Sequence, residues 1–349
     1  MSRRLTNRSS AQRVAPSAPA VPPCAAFPLT AARLAAVPAA VLLTILLLTL
    51  GGCSILGPSG AGFRTFAMGF TPFPHAATDD AVIQAWNIIA SDGDMAVVHL
   101  DGGIPWQEAL DGTPYPSGFS DMIEFCAGRI PLGHTVYVAV TPISNTRDGL
   151  AGYRDDLGVN QPLPPPWDGY DFDSPDVITA FTAFCEDMIE AFSPDYFAYA
   201  IEANMVNELA PSQWDEFLHL AANTYSSLKT NHPALPVLAT LQVESYYRDT
   251  WEQEEAISQL VPYTDVMALS TYPFGKPLSD PTALEDDYFS TVSDIAPGLP
   301  FAIAETAWPA EDIDAPYPIT IAADDSTQQA YVERVLAECE FRDAAFLCW

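Results

Sequence analysis

Two apolar runs in this 349-residue chain end on a carboxylate. In "AIEAN" it is Glu202, and in "AIAETAW" it is Glu305. Two carboxyl groups held at matching depth in one cleft suit the cleavage of a glycosidic bond: one protonates the departing oxygen while the other attacks, or shields, an oxocarbenium-like centre. The pair must then differ in charge state, with Glu202 arriving protonated and Glu305 ionised. A third acid, Glu208 in "MVNE", stands six residues beyond Glu202 and competes for the same role. The position of each acid relative to the strands decides between them.

The strand candidates are short apolar runs: "TFAMGF" near 65, "MAVVHL" at 95, "TVYVAV" at 135, "YFAYAI" at 196, "PVLATL" at 236, "VMALS" at 266, "FAIA" at 301 and "AAFLCW" at 344. Amphipathic helices fall between them. Ser174-Pro175-Asp176 supplies an N-cap, an N1 proline and a first-turn acid ahead of Val177, Phe181, Phe184, Met188 and Phe192 on one face. Ser212 opens a second helix through Trp214, Phe217 and Ala221, and Asp325 or Ser326 opens a third through Tyr331 and Val335. Near-continuous apolar strands alternating with helices point to a parallel sheet buried on both faces. Eight such units at spacings of about 30 to 60 residues, with no glycine-rich fingerprint after the first, specify an α/β fold of the (β/α)8 TIM-barrel type. The chain ends at the eighth strand, so the last helix is missing from the count. Either the gene product is truncated or another segment covers the flank of the first and eighth strands.

In such a barrel the chemistry lies at the carboxyl ends of the strands. The residues found there are His99 and Asp101 after the second strand, Asn145 and Arg147 after the third, and Glu202 and Asn204 after the fourth. Glu244 follows the fifth, Tyr272 the sixth, and Glu305 and Trp308 the seventh. Glu208 falls well into the loop, where its plainer reading is a solvated acid ahead of the helix at Ser212. Trp106, Trp167, Tyr170, Tyr272 and Trp308 sit in loops on the same face, where flat rings stack on sugars or simply pack as lids on the barrel. The long proline-rich loop "QPLPPPWDGYDFDSP" is of a kind that is usually functional when ordered. His99 is read as a substrate contact. Asp101 shares that reading but serves equally well as a turn residue before Gly102-Gly103. Arg147 has a plain alternative as partner to an acid, and Glu244 is a carboxylate without an assigned role.

These strand ends resemble the clan of retaining (β/α)8 glycoside hydrolases, which carries its acid/base Glu after the fourth strand and its nucleophile after the seventh. The likeness is nearest to the endo-β-1,4-galactanase family, through "DVMALSTYPF" and "AIAETAWP". The resemblance implies Glu305 as nucleophile, Tyr272 as its hydrogen-bond partner and Glu202 as acid/base. It covers three strand ends and leaves the loops, and hence the sugar, open. One departure stands out: the clan places an Asn immediately before the acid/base to bind the sugar 2-hydroxyl, and here that position is Ile201. Asn204 is the nearby side chain able to take over that bond. The Asn207-Glu208 pair matches the clan's lettering but not its position on the strand.

The two ends of the chain bear on location. Residues 1–52 hold five Arg, no Asp or Glu, and the run "AAVPAAVLLTILLLTLGGC", which read together as a signal peptide. Leu50-Gly51-Gly52-Cys53 resembles a bacterial lipobox, which implies acylation at Cys53, residues 53–64 as a tether, and residues 65–349 as the glycosidase-like domain. A single transmembrane anchor is the alternative; both put the domain outside the cytoplasm, in the cell envelope and tethered to membrane. Beyond residue 52, nine Lys and Arg face 45 Asp and Glu, a formal charge of −36. That repels nucleic acid and anionic lipid and favours a neutral glycan over a uronate-rich one. Cys126, Cys185, Cys339 and Cys348 permit disulfides outside the cytoplasm but read equally as buried thiols. No metal or cofactor is indicated, and a monomer is expected. The function implied is a membrane-tethered retaining glycoside hydrolase acting on a neutral carbohydrate such as a β-linked galactan. The alternatives are a non-catalytic carbohydrate-binding lipoprotein on the same barrel and a surface protein using it only as scaffold.

Overall fold

The computed structural model describes residues 64–275, 280–314 and 320–349. The proposed leader, Cys53 and the tether up to residue 63 lie outside the described residues. All eight expected runs form strands: β1 Ala67–Phe70, β2 Met95–Leu100, β3 Thr135–Val140, β4 Tyr196–Ala200, β5 Val237–Gln242, β6 Met267–Thr271, β7 Phe301–Thr306 and β8 Phe346–Cys348. They close into a barrel in the order β1-β8-β7-β6-β5-β4-β3-β2. Every neighbouring pair is parallel. This is the (β/α)8 TIM barrel.

Alternation along each strand sorts side chains between two cores. Met95 and Val97 of β2 point into the barrel with Ala139, Ala198, Ala268, Ala302 and Ala304. Ala96 and Val98 point outward to the helices. So many interior alanines leave room, and Tyr137, Tyr196 and Phe346 fill it, with ring centroids 4.9 Å (Tyr137) and 4.8 Å (Tyr196) from Phe346. At Gly69 the two first strands approach so closely that a Cβ would meet the Met95 carbonyl oxygen at 2.5 Å.

The outer ring consists of α1 Asp79–Asp92, α2 Ser117–Ala127, α3 Pro175–Phe192, α4 Trp214–Asn231, α5 Thr250–Leu260, the single turn α6 Ser290–Ser293, and α7 Asp325–Phe341. Helix α3 starts where its cap residues place it and buries Val177, Phe181, Phe184, Met188 and Phe192. One start differs from expectation, and α7 opens at Asp325 as read from the sequence. Pro211–Gln213 forms a 3-10 turn, so α4 begins at Trp214 rather than Ser212. Helix α7 is capped by Asp324, whose carboxylate accepts the Thr327 amide while the Thr327 hydroxyl completes a capping box.

Strand β8 pairs with β1 and β7, and the Trp349 amide donates to the Gly69 carbonyl at 2.8 Å. The flank beside α1 carries a groove of about 370 Å³ lined by Phe70, Phe73, Ala85, Ile88, Tyr272 and Trp349, among others. Cys126, Cys185, Cys339 and Cys348 are free thiols. Among the described residues no helix is long and apolar enough to cross a membrane.

Candidate active site

The two strands that carry the acids are also the two in the barrel whose pairing slips by one residue. Along β4 and β5 the register passes from Ala198↔Leu238 to Ala200↔Ala239, leaving Tyr199 as the extra residue. Along β6 and β7 it passes from Leu269↔Ile303 to Ser270↔Glu305, leaving Ala304 extra. A bulge of this kind resets the in–out alternation. Ala304 already faces the interior, so on a regular strand Glu305 would point outward to the helices. Paired with Ser270 instead, it shares that residue's inward face.

Ser270 also ties this side of the mouth to Glu202: its hydroxyl donates to Glu202 Oε1 at 2.8 Å. Arg147 donates to the other oxygen, from Nε at 3.1 Å and Nη2 at 2.9 Å. The Glu202 amide donates to Thr240 Oγ1 at 2.8 Å, which fixes the backbone where β4 ends. Glu202 and Arg147 both adopt left-handed backbone, at φ +53° and +60°. Such conformations cost free energy in residues other than glycine and concentrate at functional sites. The ion pair is largely enclosed, its side chains 13% (Glu202) and 11% (Arg147) exposed.

Glu305 lies beside Tyr272, whose hydroxyl donates toward it. Burial first, then the charge of Glu305 and this hydrogen bond, and more weakly the charge of Glu202, push the Tyr272 phenol far above its usual range. It therefore remains a donor at physiological pH. Tyr137 and Cys348 are held protonated chiefly by burial, with Glu305 among the charges acting on both. Both carboxylates thus act on one phenol, and Ser270, the register partner of Glu305, donates to Glu202. Two donors aim at Glu202 Oε2 and one at Oε1, which suits a carboxylate acting as a base. A proton carried for acid catalysis has the second site of Oε1, the one not taken by a donor.

The remaining predicted residues divide sharply. His99 is nearly enclosed and lies 3.8 Å from Asp101, which is half exposed, and Phe73 meets the His99 ring edge-on at 5.5 Å. Asn145 is exposed in the loop that carries Arg147. Asn204 is not available to a ligand. It is completely buried, its Nδ2 donating to the Gln242 carbonyl at 3.0 Å and Gln253 Oε1 at 2.7 Å while its Oδ1 accepts the Gln242 amide at 2.8 Å. The expected aromatic platform is also corrected. Trp106, Trp167 and Trp308 are at most 1% exposed. Trp106 stacks on Trp167 at 5.5 Å and donates to the Ala151 carbonyl, and Trp308 packs on Tyr331. Rings of this size stay in the core because the proline-rich loop folds Trp167 down onto the short helix Trp106–Asp111 instead of holding it over the mouth. Tyr170 donates to Asp176 and stands edge-on against Trp167.

Glu208 sits in the short helix Met205–Leu209 and is gripped by Arg248 through Nε at 2.5 Å and Nη2 at 2.6 Å, so it is a paired surface acid. Ser270 and Thr240 had not been singled out. The period of two in "ALSTY" puts Ser270 on the face of Tyr272, and that signal was readable. Phe70, Phe73 and Trp349, which share a groove with Tyr272, are aromatic rings left partly exposed beside the site.

No family model matches the chain, and no curated protein sequence matches it. Solved structures do. The exo-β-1,4-mannosidase Op5Man5 from Opitutaceae bacterium strain TAV5 superposes with a TM-score of 0.55 at 15% identity, over 83% of this chain and 53% of that one. A GH5_18 variant from Streptomyces cattleya, solved in complex with Manb1-4GlcNAc, gives a TM-score of 0.53 at 15% identity, over 81% of this chain and 70% of that one. The GH53 catalytic domain of Ignisphaera aggregans covers 72% of each chain at 18% identity, but its TM-score of 0.44 carries no weight. The chain spans about half the length of the mannosidase. At these identities the likeness establishes the barrel, shared with glycoside hydrolase catalytic domains.

Proposed function

We propose that this protein is a retaining glycoside hydrolase of the cell envelope, tethered to membrane through Cys53 and acting on a neutral carbohydrate such as a β-linked galactan. One observation carries the reading. Two strand-end carboxylates, Glu305 kept inward by the β7 bulge and Glu202 held by Ser270 and Arg147, act on Tyr272 at the mouth of a barrel shared with glycosidases.

In this scheme Glu305 attacks the anomeric carbon as the bond to the leaving oxygen breaks, and that oxygen takes a proton from Glu202. Glu202 then removes a proton from water, which attacks the same carbon and releases Glu305. Tyr272 donates toward Glu305 throughout. Glu202 delivers its proton from Oε1, while Arg147, on Oε2, stabilises the carboxylate left after the first half.

A second reading, a carbohydrate-binding protein that has lost catalysis, is favoured by the same Arg147 grip and by the lack of a free amide at Ile201 or Asn204 to meet a 2-hydroxyl. Incubation of the full chain with neutral β-linked glycans and aryl β-glycosides separates the two. The hydrolase reading expects cleavage with retained anomeric configuration by NMR, lost on every substrate in Glu305→Gln and on the glycans in Glu202→Gln. Binding without cleavage by all three proteins refutes it. Loss of cleavage only in Glu208→Gln refutes the assignment of the acid.

A further inference from the structure

Glu244 has no part in the scheme above, yet it is one of the most thoroughly enclosed carboxylates in the chain, at 4% exposure. It follows β5 in the first turn of the short helix Val243–Arg248. A single oxygen, Oε1, accepts three hydrogen bonds: from the Thr271 hydroxyl at 2.8 Å, the Tyr272 amide at 2.8 Å and the Tyr288 hydroxyl at 2.7 Å. Its Oε2 is buried with no hydrogen-bond partner among the described residues. Burying a carboxylate is costly, and leaving one oxygen bare adds to the cost. A structural filler at this position would serve better as an apolar residue.

The location explains why the carboxylate is there. Strand β6 ends at Thr271, so the Tyr272 amide is the first past the ladder. Its carbonyl neighbour is also held, since Thr306 of β7 donates its hydroxyl to the Thr271 carbonyl at 2.8 Å. Glu244 therefore fixes the main chain from which the Tyr272 side chain projects to Glu305. We infer that Glu244 is a positioning residue that sets the aim of Tyr272 at the nucleophile, acting through the main chain without touching substrate. The inference rests on the hydrolase reading for its catalytic meaning, while the hold on Tyr272 is independent of it.

Two substitutions test it. Glu244→Gln keeps Oε1 as an acceptor, and Glu244→Met removes it at similar size. Hydrogen exchange by mass spectrometry in the ligand-free full chain reads the Tyr272 amide directly. Exchange of the peptide spanning Thr271 and Tyr272 should accelerate in Glu244→Met and stay slow in Glu244→Gln. On an aryl glycoside, Glu244→Met should lower kcat by about tenfold to a hundredfold with KM little changed, as expected for a misaimed group. Glu244→Gln should restore the rate. Adding Glu244→Met to Tyr272→Phe should produce little further loss, because both act on one bond. Unchanged exchange in Glu244→Met overturns the inference, as does a loss that is fully additive with Tyr272→Phe. If wild type cleaves no glycoside, the hydrolase reading falls. Exchange alone then decides: acceleration confined to Glu244→Met supports the hold on Tyr272, and its absence refutes it.

Discussion

Replacing Asn204 by Ala distinguishes an architectural amide from a sugar-binding one, and the structure sets the size of the effect. Three hydrogen bonds disappear with the side chain. The Gln242 amide and Gln253 Oε1, both in enclosed surroundings, lose their partner, and each orphaned buried group costs about 1 to 3 kcal/mol. Taking the middle of that range twice gives roughly 4 kcal/mol, which for a domain of this size corresponds to a fall in Tm of roughly 7 °C. Gln242 also caps the helix that carries Glu244, its Oε1 accepting the Ser245 amide at 2.7 Å, so loosening should spread toward β6. Differential scanning calorimetry measures the shift, and calorimetric titration with an oligosaccharide below the transition measures affinity. The expected result is a large loss of stability with affinity kept. A melting curve like that of wild type together with a tenfold loss of affinity, a change of about 1.4 kcal/mol, would refute the reasoning and return Asn204 to the sugar.

Other outcomes follow from the same contacts. Glu202→Gln should lower kcat/KM steeply for glycosides with alkyl alcohols as leaving groups and far less for 4-nitrophenyl glycosides, whose leaving group needs no proton. An equal loss across the series, measured by initial rates, would remove Glu202 from the acid role. Arg147→Met leaves an enclosed carboxylate without its cation. It should destabilise the fold by a few kcal/mol in urea denaturation, and a second change, Glu202→Gln, should recover most of that loss. Alkaline pH should also weaken the fold. Burial, then a hydrogen bond to Asp265 and its charge, push the Tyr225 phenol up to about 12, above the ordinary value of 10.0, so the unfolded chain releases this proton first. Its contribution is complete below pH 10 and is lost as the pH rises toward 12. The fall in urea-derived stability over that window should flatten in Tyr225→Phe.

Periodicity made the barrel legible, because each strand needs only a run of apolar residues bounded by turns and each helix a stripe. The acids were legible for the same reason, since Glu202 and Glu305 are the first charges after such runs. What could not be read was how far a loop folds back. Trp106, Trp167 and Trp308 lie in segments whose sequence is compatible with an exposed platform or a packed lid, and the choice rests on contacts between distant segments such as the Trp106–Trp167 stack. Asn204 escaped for a similar reason: its partner Gln253 is 49 residues away on α5, and nothing local announces the bond.

The bulges add a point that pattern reading missed entirely. Strict alternation forward from Ala302 makes Ala304 inward and Glu305 outward, so the rule that identified the strand would have sent Glu305 into the helical layer. The extra residue in β7, and its counterpart Tyr199 in β4, interrupt the ladder on the two acid-bearing strands while the barrel pairs β2–β3 and β3–β4 stay in register. An interruption weakens a sheet locally and is tolerated where something is gained. In β7 the slip keeps Glu305 on the inward face it shares with Ser270, whereas Glu202, past the end of β4, is aimed by its left-handed backbone and the hydroxyl of Ser270. Deleting Ala304 leaves Leu269↔Ile303 followed directly by Ser270↔Glu305, so a regular β7 should keep Glu305 on the inward face and keep its melting temperature; a large loss of cleavage in that variant would show that the bulge does more than set the face of Glu305.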